Sequence, residues 1–392
     1  MQNFEYYTPT KVFFGRGVEE KLGQTIRDLG FRKILLHYGS GSIKKTGLYD
    51  KITKNLTELG ISYCELGGVE PNPKLSLVRE GVELGKRENV DMILAVGGGS
   101  VIDSAKAIGL SLANDLDPWY MVENYRKLDK IEKFPVGVVL TLAAAGSEMS
   151  SSLVITHDEA KLKRSINTDA NRPIFAFMNP ELTYSVSKYQ TACGIVDIMM
   201  HTMERYYSPE KGADLTDRIS EGLLVSVKDA GLVVINEPDN YEARATLMWA
   251  SSLSHNGITE CGRSRLMPAH RISHDISGIF EVAHGAALSV VFPAWAKYEY
   301  KKDIEKFAQM ATRVWGIELD EDNPEKTALL GIETMKEYFR TIGMPVSMKE
   351  IGIEEKDYEL LVNATTNNGK AGVESYDVLS KEDILNIYKL AQ

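Results

Sequence analysis

The chain has 392 residues, 43% of them hydrophobic, and this length predicts two domains rather than one core. Its formal charge of −10 argues against nucleic acid or an anionic membrane as a partner, because both bind concentrated basic surface. The sequence shows no basic leader and no uninterrupted apolar run of about 18 residues. Its three cysteines are odd in number and widely spaced, which indicates reduced thiols rather than a disulfide framework. We therefore expect a cytoplasmic protein.

The first half of the chain alternates short apolar runs with helical patterns, which is typical of a parallel sheet covered by helices. We predict strands at residues 12–14, 33–37, 61–66, 91–96 and 135–140. Helices are predicted over residues 18–29, from the turn after residue 42 to residue 59, and over residues 75–88. Residues 154–156 and 174–178 are predicted as edge strands, and Trp119, Tyr120 and Tyr125 are placed in a loop.

Three glycines and a serine, Gly97, Gly98, Gly99 and Ser100, join the predicted strand at 91–96 to the next helix. Glycines let a phosphate approach the backbone closely, and the positive N-terminus of the helix attracts the anion. The run is not the Gly-x-Gly-x-x-Gly dinucleotide fingerprint, and a tight turn without a ligand is the open alternative. We interpret the run as a pyrophosphate cradle.

Two further loops after strands contain residues suited to a nucleotide. The hydroxyls of Thr141 and Ser147, set among small residues, can orient a nicotinamide or a ribose. The strand at 33–37 leads to Gly39 and Ser40 with no acidic residue nearby. An acidic side chain there would repel a 2′-phosphate, so its absence favours NADP(H), with NAD(H) as the alternative.

From about residue 187 the apolar spacing is almost entirely helical. Helices are predicted at 191–206, 215–234, 241–254, 285–298, 304–314 and 324–342, before a mixed polar tail from 349 to 392. The chain should therefore consist of a dinucleotide-binding α/β domain at 1–185 and an all-helical, metal-binding domain at 186–392. Of the aromatic residues in the second domain, Trp295 is the one expected to reach the active-site cleft.

The helical half holds five of the seven histidines, and four of them form a suggestive arrangement with an aspartate. Asp197 and His201 are four residues apart, so a helix presents both on one face, and His270, His274 and His284 follow in apolar surroundings. Each histidine taken alone is better explained as an ordinary core or surface residue. Together, one carboxylate and three imidazoles suit Fe(II) or Zn(II) and are too rich in nitrogen for calcium or magnesium. One histidine is then surplus, and we choose His274, one helical turn from His270.

These motifs, taken together, resemble the iron-containing (group III) alcohol dehydrogenases, most closely the butanol dehydrogenase and aldehyde reductase branch. The resemblance runs from Pro9 over nearly the whole chain. It implies an N-terminal α/β domain with a Rossmann-like, dehydroquinate-synthase-like parallel sheet and an all-α C-terminal domain. It also implies that the metal ligands are Asp197, His201, His270 and His284, and that His274 lies beside the nicotinamide.

The same resemblance implies that the glycine run is the cofactor-phosphate loop and that Asp103 belongs to the cofactor pocket. Lys163 falls where the family places a lysine facing the cofactor, although a solvated charge run explains it equally well. The residues expected to bind the cofactor are Gly39, Ser40, Gly97, Gly98, Gly99, Ser100, Asp103, Thr141, Ser147, Lys163 and Leu182. His274 and Asp103 are the residues expected to take part in catalysis.

The expected activity is a metal-dependent, NAD(P)(H)-linked alcohol dehydrogenase or aldehyde reductase acting on primary alcohols such as butanol. The metal would act as a Lewis acid toward the alcohol oxygen, and His274 would either relay a proton or pack against the nicotinamide. Open alternatives are a glycerol dehydrogenase-like polyol oxidoreductase or a dehydroquinate synthase within the fold and, from another class, a metal-dependent hydrolase. Analogy with the family suggests a homodimer with small-molecule substrates and no nucleic-acid or membrane partner.

Overall fold

The structure, a computed structural model, describes residues 1–392 and divides into two compact units. One is Tyr7–Val186, and the other combines Met1–Tyr6 with Ser187–Gln392. The division lies one residue beyond the expected boundary, but the first six residues join the helical unit. There the terminal ammonium of Met1 donates to the carbonyl of Lys211 at 2.7 Å, and the Gln2 amide donates to the carbonyl of Gly262 at 2.8 Å.

A six-stranded, wholly parallel sheet forms the centre of the α/β unit, in the order β1-β8-β5-β4-β2-β3. A separate hairpin pairs β6 with β7. The strands are β1 Lys11–Phe14, β2 Lys33–Gly39, β3 Ser62–Val69, β4 Met92–Gly97, β5 Val136–Leu140, β6 Ser152–His157, β7 Leu162–Asn167 and β8 Phe175–Met178. The helices are α1 Leu22–Asp28, α2 Ser42–Lys45, α3 Leu48–Glu58, α4 Leu75–Glu88, α5 Gly99–Asn114 and α6 Pro118–Asn124.

Every residue of β4, β5 and β8 is buried, as expected for parallel strands covered on both faces. The chain order of the strands reverses between β2 and β4, because β3 lies outside β2 while β5 and β8 follow on the far side of β4. Open sheets of this kind bind ligands beyond the carboxyl ends of the strands at such a reversal. Gly39 and Gly97 end the two strands that flank it.

The structure corrects two of the predicted elements in this unit and adds one strand. Residues 174–178 were expected at an edge, but β8 lies inside the sheet, between β1 and β5; its four residues are too few for periodicity to distinguish an edge from the centre. Residues 154–156 form part of β6, which pairs with β7 in a hairpin. β7 was missed because its charged residues suggest a segment exposed to solvent rather than a strand. Trp119 and Tyr120 lie not in a loop but in α6, whose first turn is capped by Asp117, and Tyr125 begins a 3-10 turn that follows it.

The second unit is helical, and its fold class is as predicted. Its helices are α7 Lys188–Tyr206, α8 Asp214–Asn236, α9 Tyr241–His255, α10 Pro268–Phe280, α11 His284–Glu299, α12 Ile304–Arg313, α13 Pro324–Thr341, α14 Tyr358–Thr365 and α15 Lys381–Leu390. All residues of α7 from Thr191 onward are buried, as befits a helix surrounded by others. None of the helices combines the length and the apolar run required to traverse a bilayer.

The mixed polar tail, for which no helices were predicted, contains α14 and α15, which contribute Tyr358 and Ile387 to the core. One expectation for this unit fails. Trp295 does not reach a cleft, because its side chain is fully buried and its Nε1 donates to Ser375 Oγ at 3.0 Å. The prediction rested on the short distance between Trp295 and His284 in the sequence. That distance does not indicate on which face of α11 the ring lies.

Candidate active site

Asp197 and His201 lie one turn apart on α7, and both are buried. His201 Nδ1 lies 2.9 Å from the backbone carbonyl oxygen of Asp197 and 3.1 Å from Asp197 Oδ1. A carbonyl oxygen only accepts hydrogen bonds, so this contact places a proton on Nδ1 and leaves the lone pair on Nε2. The helix thus supplies a carboxylate and a neutral imidazole side by side.

His270, from the first turn of α10, completes a three-residue cluster. Its Nε2 lies 3.5 Å from Asp197 Oδ1, and one potential ligand atom from each of Asp197, His201 and His270 lies within 4.8 Å of the others. Two donors about 2.1 Å from a tetrahedral metal lie roughly 3.4 Å apart. Asp197 Oδ1 and His270 Nε2 are buried without a hydrogen-bond partner, a costly state that a bound cation relieves. The donors present therefore fit a divalent metal such as iron or zinc.

The predicted fourth ligand lies next to this cluster. His284 is the first residue of α11, and its ring centroid is 5.3 Å from that of His270. His274 lies one turn after His270 on α10, with its ring 5.4 Å from that of His284. The structure thus brings candidate ligand atoms of three of the four predicted ligands within 4.8 Å of one another, and it places the rings of His284 and His274 beside them.

A close helix crossing explains the glycine that follows His284. A Cβ added at Gly285 would lie 2.3 Å from the carbonyl oxygen and 2.6 Å from the Cα of Cys193, so the backbones of α11 and α7 touch here. Cys193 precedes Asp197 by one turn on α7. Because no side chain fits at position 285, the crossing fixes the start of α11 against the part of α7 that bears the carboxylate.

Glu204 was missed in the sequence, although it is fully buried beside the cluster. It extends the stripe of Asp197 and His201 by a further turn of α7. Its Oε2 accepts a hydrogen bond from His270 Nδ1, and its Oε1 accepts from the backbone amides of Ala269 at 2.6 Å and His270 at 3.2 Å. The spacing of four and then three residues, which is that of one helix face, was the signal available.

His255, the last residue of α9, was also missed. Its ring packs against that of His201, with a centroid separation of 4.0 Å and an interplanar angle of 32°. The spacing between His255 and the other histidines in the sequence does not predict this contact, because α9 reaches the cluster only through tertiary packing.

The electrostatics of the cluster keep Asp197 ionised and His201 neutral, which are the states that metal binding requires, whereas His270 must give up a proton when it binds a metal. Burial opposes ionisation of Asp197, but His201 and His270 outweigh it and hold its pKa well below the usual value. Burial, together with the charge of His270, lowers the pKa of His201 to about 4. For His270, burial lowers the pKa, but Glu204 and Asp197 overcome it and raise the pKa to about 8.

In the α/β unit, packing leaves little room for a side chain at the first two glycines of the Gly97–Gly99 turn. A Cβ at Gly97 would lie 2.5 Å from Val101, and one at Gly98 would lie 3.1 Å from Leu142. Gly99 and Ser100 then begin α5, whose N-terminus has no side-chain cap. The first amides of a helix have no partner within it, so this turn is both sterically constrained and suited to an anion.

Asp103 and Ser147 bond to each other. Ser147 Oγ donates to Asp103 Oδ1 at 2.5 Å and accepts from Lys106 Nζ at 2.8 Å, while Asp103 Oδ2 accepts from the Val154 amide at 2.9 Å. The single hydroxyl proton of Ser147 is thereby committed to Asp103. Burial lowers the pKa of Lys106 to about 8. These contacts join α5, which bears Asp103 and Lys106, to Ser147 and Val154. The three side chains therefore have an anchoring role that the sequence did not suggest.

The remaining predicted cofactor residues follow the ends of adjacent strands. Gly39 and Ser40 follow β2, Thr141 follows β5, and Leu182 lies in the short turn of helix Pro180–Thr183 after β8. The Thr141 amide donates to the carbonyl of Gly97 at 3.0 Å, which joins two of these loops. Lys163 stands apart on the β6–β7 hairpin, where its buried Nζ donates to Asn72 Oδ1 at 2.8 Å.

A buried carboxylate–imidazole cluster on a helical unit, and a glycine turn at the strand-order reversal of a parallel sheet, are the parts of a metal-dependent, nucleotide-linked oxidoreductase. Residues 9–180 match the family model of the iron-containing alcohol dehydrogenases, and residues 191–392 match the model of the C-terminal part of that family. The chain therefore belongs to the iron-containing alcohol dehydrogenase family, and the resemblance seen in the sequence is confirmed.

Relatives that match the whole length support this membership. The NADH-dependent butanol dehydrogenase A of Clostridium acetobutylicum is 40% identical over 390 residues, covering 99% of each chain. The NADPH-dependent aldehyde reductase YqhD of Escherichia coli is 32% identical over 383 residues, covering 96% of this chain and 97% of that protein. The solved structure of NADH-dependent butanol dehydrogenase A from Thermotoga maritima superposes with a TM-score of 0.95, at 38% identity, over 100% of this chain and 99% of that one.

Proposed function

We propose that the protein interconverts primary alcohols and aldehydes, butanol and butyraldehyde among them, by hydride transfer to and from a nicotinamide cofactor. The observation that carries this proposal is the buried cluster of Asp197, His201 and His270, in which an oxygen and a nitrogen are buried without partners. Relatives named as butanol dehydrogenases and as an aldehyde reductase cover nearly all of the chain, which supports the substrate class.

The proposed ligands are Asp197, His201, His270 and His284, with Fe(II) or Zn(II) as the metal. A metal held there would supply Lewis acidity toward the substrate oxygen. Asp197 contributes the negative charge, and the histidines contribute neutral nitrogens. His274 is proposed to accept the alcohol proton, because imidazole exchanges protons near neutral pH and this ring lies next to that of His284.

For the cofactor, we propose that NADP(H) is preferred. Gly39 ends β2 without an acidic side chain. The nearby acid, Glu65, accepts hydrogen bonds from Tyr38 at 2.8 Å and Tyr49 at 2.6 Å and lies 4.0 Å from Lys44 Nζ, so its oxygens are engaged by neighbouring side chains. Relatives named NADH-dependent and NADPH-dependent both match the chain, so they do not favour either cofactor. The preference for NADP(H) is supported by the lack of an acidic side chain at the end of β2. A homodimer in the cytoplasm also stays a prediction.

The proposed function is tested by loading anaerobically purified protein with Fe(II) or Zn(II) and following NADPH or NADH absorbance with butyraldehyde. We expect metal-dependent oxidation of the reduced cofactor. His270→Ala should lose both metal and activity, whereas His157→Ala, which replaces a histidine of the other unit, should keep both. Full turnover by His270→Ala after treatment with a chelator would contradict the proposal.

A companion variant addresses His274. His274→Asn should retain the metal but lose turnover and change the pH profile of turnover. Unchanged turnover with an unchanged pH profile would rule out proton transfer by His274 and leave it a packing role.

A metal-dependent hydrolase would give the Gly97–Ser100 loop no role, and the family membership assigns the chain to dehydrogenases instead.

A further inference from the structure

Glu204 makes an unusual set of contacts for a buried carboxylate. It is 0% exposed, and its hydrogen bonds go to a single short segment at the start of α10. Oε1 accepts from the amides of Ala269 and His270, and Oε2 accepts from the imidazole Nδ1 of His270. Met267, which precedes the helix, provides no side-chain cap. Glu204 thus caps α10 from a neighbouring helix and holds one imidazole at the same time.

The hydrogen bonds determine which nitrogen of His270 carries a proton. A carboxylate can only accept, so Nδ1 carries a proton, and the neutral ring that binds a metal has its lone pair on Nε2. Nε2 is the atom that lies 3.5 Å from Asp197 Oδ1 and has no hydrogen-bond partner. The ring is therefore held in the tautomer and the direction that a metal ligand requires.

Charge balance gives Glu204 a second effect. A divalent cation bound by Asp197 and neutral histidines would leave a net positive charge in a buried site, which is costly. The carboxylate of Glu204 is linked to the cluster through the His270 ring and supplies the second negative charge. It does so without occupying a coordination position.

We propose that Glu204 is a positioning residue of the metal centre: its carboxylate fixes the tautomer and orientation of His270 and balances the charge of a divalent cation. This inference rests on the proposed metal site. It predicts that Glu204 controls metal affinity although it is not a ligand, as carboxylates behind metal-bound histidines do elsewhere, where their loss costs about 10–100-fold in affinity.

Glu204→Gln is the informative variant. The amide oxygen must stay on the Oε1 side to accept from the two backbone amides, which turns the NH₂ group toward His270 Nδ1. That group donates, so Nδ1 must accept and the proton moves to Nε2, the wrong nitrogen for binding. Glu221→Gln is the matched control, because Glu221 is also a buried glutamate of this unit but bonds to Tyr206 and Arg313.

The experiment measures the dissociation constant for Zn(II) by competition with a chromophoric chelator, alongside thermal unfolding. We expect Glu204→Gln to weaken zinc binding by about 10–100-fold and Glu221→Gln to leave it unchanged. Equal zinc affinity of Glu204→Gln and wild type would overturn the role of Glu204 alone. Failure of the wild type to bind zinc would instead overturn the proposed metal site.

A second measurement examines the metal site of the wild-type protein. In zinc-loaded wild-type protein carrying ¹⁵N-labelled histidine, NMR distinguishes a metal-bound ring nitrogen from a protonated one. We expect zinc on Nε2 of His270 and a proton on Nδ1, with the His270→Asn spectrum identifying the signals. Zinc on Nδ1 would contradict the proposal directly.

Discussion

The crossing of α7 and α11 yields the sharpest prediction. In Gly285→Ala the new methyl group would lie 2.3 Å from the Cys193 carbonyl oxygen, about 1 Å inside normal contact, and both partners are helix backbone. The helices must therefore separate by about that distance. Overpacking of this kind costs about 1–3 kcal/mol of unfolding free energy. Metal–ligand distances tolerate only about ±0.2 Å, so moving His284 by this amount should also weaken zinc binding by tenfold or more.

Urea unfolding and zinc titration of Gly285→Ala test this prediction, with Gly222→Ala as the control. Gly222 lies in the middle of α8, and a Cβ there meets nothing within 4 Å. Alanine is the better helix former, so the control should gain about 0.5–1 kcal/mol and bind zinc normally. Wild-type stability and zinc affinity in Gly285→Ala would refute the close-contact reasoning.

Three further predictions concern the α/β unit. A Cβ at Gly39 meets only ordinary contacts, the nearest at 3.5 Å, so Gly39→Asp should fold and should shift the ratio of catalytic efficiencies from NADPH toward NADH by about tenfold or more; an equal shift in Gly39→Asn would exclude charge as the cause. Burial lowers the pKa of His37 from 6.5 to about 4, so the unfolded chain takes up the proton first as pH falls. Between pH 6.5 and 4 the wild type should therefore lose about 3 kcal/mol of unfolding free energy relative to His37→Gln, and parallel pH profiles in urea unfolding would contradict this. Lys106→Met removes the donor to Ser147 and to two backbone carbonyls and should cost about 3 kcal/mol in urea unfolding, whereas Lys86→Met, at an exposed ion pair, should change little; equal losses in the two variants would disprove the anchoring role.

Those parts of the fold that depend on local pattern were predictable from the sequence. The helix at 75–88 coincides with α4, because its apolar residues recur at helical spacing and a Pro-rich turn precedes it. The reversed strand order depends on long-range pairing, and no local signal shows that the four-residue run of β8 lies inside the sheet. Charged residues on β7 concealed a strand whose Lys163 is buried against Asn72.

The candidate site shows the same division. Asp197 and His201 were predicted as neighbours because one helix turn relates them, and the apolar surroundings of His270 suggested burial. Glu204 was overlooked because, in a sequence, a carboxylate that supports a metal ligand resembles any other acidic helix residue. Ser147 was assigned to the cofactor by its hydroxyl alone. Only the structure shows that its proton goes to Asp103.

X-ray absorption at the zinc edge of zinc-loaded protein tests the central claim most directly, since it reports the atoms bound to the metal. We expect one zinc per chain, with one carboxylate oxygen and imidazole nitrogens from three rings at about 2.0–2.2 Å, and the loss of one imidazole in His284→Ala. A shell that contains sulfur, or a His284→Ala spectrum identical to that of the wild type, would contradict the assignment of Asp197, His201, His270 and His284 as ligands.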